Sequence, residues 1–277
     1  MERDDVNRQL VAIRRRREEA ARVDAHLARQ QATLEARLVE LKADASGHPA
    51  RQRDAARARV ESAYGHVRSA GDLIEAIHAW RENIRSVSSL CEDVRAGRDH
   101  VRGDLAAPLV VVEYGDYQCT ECAEAHGLHP RVRRWLEDGR LCVAFRHFPL
   151  VDAHPLALRS AQAAEAAAAQ GRFWEMHDAL MELVSDRHEH VRARARVDGQ
   201  GHGLQLEDAA RRARLDLERF RADIDDPAAL ERILDDFRGG LASGVNGTPT
   251  FYVNGLRADA GAAEDLYAQI AASVTIG

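Results

Sequence analysis

The sequence predicts an α/β domain, a small mixed sheet with a helical insertion, preceded by an all-α, coiled-coil-like region. Three observations carry this. Residues 1–103 are helix-forming almost throughout, and the composition shifts across Gly103 to Pro108. A branched apolar run, Leu109-Val110-Val111-Val112-Glu113-Tyr114, then leads into Cys119-Thr120-Glu121-Cys122 and a helix-forming segment. Further on, Thr250 to Val253 is followed by Asn254-Gly255, a strong short hairpin signal.

Taken in order, residues 4–44 place Ile13, Ala20, Leu27, Leu34 and Leu41 at seven-residue spacing between mostly polar companions, a narrow seam. Ser46-Gly47-His48-Pro49 is a break, and a polar helix is expected over 50–69. Asp72 is a candidate N-cap for a third helix. In that helix Ile77, Trp80, Ile84, Val87, Cys91, Val94, Arg98 and Val101 alternate steps of three and four, which is bundle or coiled-coil spacing. The seam serves either a hairpin folding back on residues 4–44 or a homodimer through residues 72–102. Cys91 then either packs in a core or meets its twin in an interchain disulfide.

Beyond the break, strands are expected at 109–114, 141–148 and 250–253, with a returning strand at 256–258. Helices are expected at 119–137, kinked at Pro130, through the alanine-rich 154–184, and at 206–214, 217–224, 228–241 and 262–272. The insertion thus spans about 154–241. Strand, helix, strand, helices, hairpin and helix fold most simply as one sheet covered by helices.

Composition excludes several classes. Net charge is −6, and neither part is basic enough for a nucleic-acid partner. No run approaches the apolar length of a membrane span. The Met-Glu-Arg-Asp-Asp-Val start has no apolar core of signal-peptide length, so a cytoplasmic location is expected. Four cysteines, Cys91, Cys119, Cys122 and Cys142, are too few for a disulfide scaffold, and one pair is half of a zinc ribbon. His188, Glu189, His190 and His202 lack metal-site spacing and read as a solvated loop; no metal or cofactor is expected. The Arg14 to Arg17 run, beside Glu18 and Glu19, reads as a solvated helix face. Cys142 sits in the apolar Leu-Cys-Val-Ala-Phe and reads as an inert buried thiol.

The Cys119/Cys122 pair is the candidate redox site. Thiols three residues apart share a helix face, close enough to bridge. A sulfur at a helix start ionises more readily, and the thiolate is the nucleophile. Cys119 is therefore expected to be partly exposed and to attack, with Cys122 as the resolving thiol that closes the disulfide. Glu113 lies in an apolar strand, where burying a carboxyl is costly, so it either faces solvent at an edge or has a function.

Four stretches resemble the DsbA-like branch of the thioredoxin superfamily: Val112 to Cys119, Phe145-Arg146-His147-Phe148-Pro149-Leu150, His154-Pro155 through His177, and Gly247-Thr248-Pro249 through Gly255. Together they cover residues 109–277, and residues 1–103 lie outside. The resemblance implies a thiol–disulfide oxidoreductase that acts on protein thiols and disulfides through a mixed disulfide, with an unidentified redox donor or acceptor. It also implies that Glu113 is a buried proton relay for Cys122. Thr248 and Pro249 become a cis-proline loop that offers backbone to a bound peptide, the alternative being an ordinary trans turn. His147 and His177 come with the match but have no assignable role. Relatives commonly have proline after the first cysteine; here Thr120 and acidic Glu121 follow, which opposes a very acidic Cys119. The alternative function is a redox-gated interaction module whose coiled coil binds a partner. Relatives of the domain also occur fused to sodium–proton antiporters.

Overall fold

The computed structural model describes residues 67–82, 89–126, 130–193 and 202–258, Ile270, and scattered positions between 54 and 65. The chain divides into two compact units, Met1–Gln52 and Arg53–Gly277, and the described residues belong to the second. The expected seam over 4–44, the break at Ser46 to Pro49, the Arg14 to Arg17 run, and the closing helix at 262–272 apart from Ile270 lie outside the described residues.

The sheet has the order β1-β3-β2-β4-β5. Its strands are β1 (His100–Arg102), β2 (Leu109–Gly115), β3 (Leu141–His147), β4 (Thr250–Val253) and β5 (Leu256–Arg257). β2 and β3 run parallel, joined by a crossover; the other pairs are antiparallel. Parallel strands demand cover on both faces, and the near-continuous apolar sequence of β2 and β3 reflects it. Asn254 and Gly255 both have positive φ, 49° and 79°, as a two-residue primed turn requires. Asn254 also accepts from Val110 N–H through its side chain and donates to the Pro108 carbonyl, tying the hairpin to β2.

Helices α1 (Ala70–Glu82), α2 (Thr120–His126) and α3 (Pro130–Glu137) precede α4 (Ala157–Ala168), α5 (Phe173–Ala193), α6 (His202–Arg212), α7 (Leu217–Asp223) and α8 (Pro227–Ser243). Pro130 stands at the first position of α3, where its missing N–H costs nothing, so the expected kinked helix is two helices. The alanine-rich stretch is likewise split, at Gly171 with φ 71°. α8 starts with an Asp226 N-cap and Pro227, and ends at Gly244 in the left-handed region. Val112, Tyr114 and Tyr252 face α1 and α8 through Leu73, Ile77, Leu234 and Phe237. Leu109, Val111 and Leu141 face the other way, onto Val132 and Ile270.

The third helix needs correction. It is helical over Ala70–Glu82, but residues 89–99 form bends and turns, and 100–102 are strand β1. Seam positions 84 and 87 lie outside the described residues. The cause is Arg146, fully buried in β3. It donates to Asp99 at 2.8 Å, to the Tyr114 hydroxyl at 3.0 Å and to the carbonyls of Glu92 and Asp93 at 3.1 and 3.3 Å. A helix would keep those carbonyls for itself; the buried guanidinium claims them. Leu73, Ile77, Leu90 and Cys91 are buried in the same unit, and Cys91 N–H donates to Ser243. The apolar spacing that suggested a dimer through 72–102, with a Cys91 disulfide, is thus satisfied at these positions by the chain itself. The compositional break at 103 is not a packing boundary.

Replacing Arg146 with Met takes from buried Asp99 one of its two guanidinium partners, leaving Arg98 at 2.7 Å and the Arg95 N–H. Breaking a buried pair outright costs about 3–5 kcal/mol. R146M is expected to lose up to that much in denaturant unfolding, and R146M/D99N to recover part of it.

Candidate active site

β2 ends at Gly115, where an added Cβ would lie 2.5 Å from the Phe145 ring, so the chain can pass only as glycine. The loop that follows is held by Asp116, which is buried and accepts from Gln118 N–H at 2.7 Å, Leu150 N–H at 2.9 Å and His154 Nδ1 at 2.8 Å. That bond raises the His154 pKa. Asp116 O also receives the Cys119 N–H, and Cys119 O receives the Ala123 N–H, which starts α2. Cys119 therefore sits at the helix entrance and Cys122 one turn below it. Both are reduced.

Cys119 is only 3% exposed, not the partly open thiol expected. Two groups cover it: its sulfur lies 3.2 Å from the Thr248 carbonyl and 3.3 Å from Glu121 Oε2. The Thr248–Pro249 bond is cis. Thr250 Oγ1 donates to the Gly247 carbonyl at 2.7 Å, closing that loop.

The two sulfurs are electrostatically unequal. The Cys119 pKa is lowered, first by a hydrogen bond from the Cys122 thiol, then by the Thr248 side chain and the Cys122 N–H; burial and Glu121 oppose this without reversing it. The buried Thr248 Oγ1 has no other protein partner, so its hydroxyl is available to a thiolate. Burial pushes Cys122 well above an ordinary thiol, and its bond to Cys119 and the Glu113 charge add to that. Glu121 thus acts in the direction its charge implies, as the smallest of the named influences. Glu113 lies beneath the pair, buried, with Oε1 unpartnered; burial and then the Cys119 charge raise its pKa to about 8. It is not an edge carboxylate. It lines a cavity of about 50 Å³ with Arg102, His126, Trp174 and His177, whose other walls are apolar.

Several site residues were not legible as such. His177, left without a role, is buried, lies with Nδ1 in hydrogen-bond contact with the Tyr117 hydroxyl (3.1 Å), and is held well below an ordinary histidine by burial. His147 and His100 both meet Glu165 Oε1 at 2.7 Å. His188, Glu189 and His190 correct another expectation: they lie in α5, not in a loop. Cys142 is fully buried, and burial lifts its pKa to about 11, as an inert thiol requires.

Among the described residues, two groupings bring three metal-capable side chains within 4.8 Å: His100, His147 and Glu165, and His126, His177 and Asp178. In both the carboxylate is already spent, on the two imidazoles in the first and on Arg102, whose Nη2 donates to both oxygens at 2.7 and 2.8 Å, in the second.

A family model described as thioredoxin matches residues 95–272. The chain belongs to the thioredoxin family. Among solved structures it is similar to oxidised BdbD of Bacillus subtilis, at 20% identity and TM-score 0.54, covering 69% of this chain and 100% of that one. It is also similar to α-DsbA1 of Wolbachia pipientis, at 18% identity and TM-score 0.54, covering 66% and 94%. These likenesses establish a DsbA-like fold. The curated relatives are Na⁺/H⁺ antiporters. NhaA 1 of Salinispora arenicola is 44% identical over 160 residues, and NhaA 3 of Salinispora tropica is 42% identical over 165. Each match covers 57% of this chain, and the chain spans only 22% of the length of these antiporters. The cytoplasmic expectation is corrected here. The relatives the chain matches are named as Na⁺/H⁺ antiporters, which points away from a cytoplasmic protein. Among the described residues no helix is long and apolar enough to cross a membrane.

Glu113 sets a pH dependence of stability. Its folded pKa, about 8, lies above the ordinary 4.5, so the folded state holds its proton where the unfolded chain has lost it. Stability therefore falls as pH rises from about 5 to 8, by up to about 1.4 kcal/mol per unit. Glu113→Gln is expected to flatten that decline in unfolding titrations at a series of pH values.

Proposed function

We propose that the chain is a protein thiol–disulfide oxidoreductase that works through a mixed disulfide on Cys119. The observation that carries this is the asymmetry of the pair: a thiol eased toward ionisation lies against the Thr248 carbonyl, and a fully buried one lies below it, over Glu113. The Cys119 thiolate attacks a partner disulfide, giving the Cys119–partner disulfide and a free partner thiol. Its charge is then gone, which removes one of the two causes holding Glu113 protonated. Glu113 can take the Cys122 proton, and the Cys122 thiolate attacks Cys119, releasing the second partner thiol. The dithiol ends oxidised and the partner reduced; the reverse sequence oxidises a partner. Thr248 and Pro249 present backbone alongside the sulfur, suited to hydrogen-bond an extended peptide.

A second reading is favoured by the antiporter relatives: a redox-gated module whose Cys119–Cys122 state alters binding to a membrane partner. The two differ in turnover. Insulin reduction with a regenerating thiol is expected to proceed catalytically and to fall to background with Cys119→Ser. Redox-dependent partner binding without turnover supports the module instead.

A further inference from the structure

Resolution of the mixed disulfide leaves a proton on Glu113, which is buried, with only 9% of its surface exposed. While a partner is bound, Cys119 and the Thr248 loop are covered as well. The proton must leave by another route, and the residues around the cavity limit the choice. Glu113 Oε1 is buried without a protein partner, a state that buried polar atoms resolve with water. The cavity beside it, about 50 Å³, has room for a few waters at roughly 10–15 Å³ each, and its polar groups supply the partners they need.

Four groups with N–H or imidazole nitrogen line that cavity: Arg102, Trp174, His126 and His177. Arg102 keeps its proton throughout and is committed to Asp178. Trp174 Nε1 donates to the Val101 carbonyl at 2.8 Å. His177 is fully buried, its Nδ1 is engaged with the Tyr117 hydroxyl at 3.1 Å, and burial holds it well below an ordinary histidine, so it resists taking up a proton. His126 differs on each count. Its side chain is 16% exposed, its Nε2 lies 3.6 Å from Asp178 Oδ1, and it stands on α2 one turn beyond Cys122. Burial first, then Arg102, lower its pKa against the pull of Asp178, so a proton it receives is readily passed on. The charged or titratable groups described around it are Arg102 from β1, Glu113 from β2, Cys122 on its own helix, and His177 and Asp178 from α5.

We propose that His126, steadied by Asp178, is the exit station of a proton path running from Glu113 through water in the cavity to solvent. This rests on the dithiol reading above. In the step it serves, the Cys122 S–H gives its proton to the Glu113 carboxylate, and the Cys122 thiolate displaces the partner thiolate from Cys119. The proton then passes from Glu113 through the cavity water to His126 and out. No electron carrier beyond the partner disulfide is needed. His126 touches neither sulfur; it is a positioning residue for the proton.

The test is single-turnover reaction of the reduced protein with oxidised glutathione, following the mixed disulfide and its resolution separately across pH. With His126→Gln, resolution is expected to slow by about tenfold or more. Formation of the mixed disulfide and the pH profile of Cys119 alkylation should stay unchanged, and added imidazole buffer should restore resolution in proportion to its concentration. Asp178→Asn is the second variant, expected to move the inflection of the resolution profile to lower pH. Unchanged resolution in His126→Gln overturns the proposal, as does slowing that buffer cannot rescue or that comes with an altered Cys119 profile. A wild-type protein that never exchanges with glutathione overturns the dithiol reading too; normal exchange with an indifferent His126 overturns only the path.

Discussion

The site depends on one electrostatic constraint: two sulfurs and a carboxyl share a buried pocket that stabilises one negative charge at a time. Glu113 is buried with an unpartnered oxygen, and Cys122 is fully buried above it. A charge on any of the three raises the cost of a second on its neighbours. Cys119 holds the favoured position because hydrogen bonds from the Cys122 thiol, Thr248 and the Cys122 N–H lower its pKa, whereas on Cys122 burial outweighs the one bond from the Asp116 backbone. That Cys119 ionises more readily than Cys122 follows from where the donors stand and how deeply each is buried, since the two are the same amino acid.

The scaffold serves that pocket. Parallel pairing of β2 with β3 puts Glu113 beside Phe145, and β4 pairs Glu113 with Phe251, so the carboxyl is enclosed by sheet neighbours. Asp116 then fixes the short loop that sets Cys119 at the start of α2. On the far side of β3, Arg146 holds residues 92–99 and β1 in place, and β1 in turn carries Arg102 to the cavity wall. A buried cation and a buried acid on adjacent strands are thus structurally linked without touching.

Most of the thioredoxin-like part was legible because its signals are local. The apolar run of β2, the Asn254-Gly255 turn and the Cys119/Cys122 spacing each specify their own geometry. What misled was periodicity used across a gap: the three-and-four spacing from Ile77 to Val101 is real, but residues 89–102 bury their apolar side chains as loop and strand. Nothing local announces that, since the agent is Arg146, some fifty residues downstream in sequence and contacting Glu92 and Asp93 through their carbonyls. The cavity histidines were illegible for a similar reason. His126 and His177 come from different helices, and only the fold brings them to Glu113. The effect of Glu121 was read with the right sign from its charge; its rank below the other influences needed the Thr248 loop in place.

The central claim is the inequality of the two active-site thiols, and the pH dependence of their alkylation measures it most directly. The reduced protein is treated briefly with iodoacetamide across a pH series, and each cysteine is quantified by mass spectrometry. The account predicts that Cys119 becomes reactive at a pH below the ordinary thiol value of about 9, while Cys122 stays unreactive well above it. Two cysteines titrating together, or Cys122 reacting first, would contradict it.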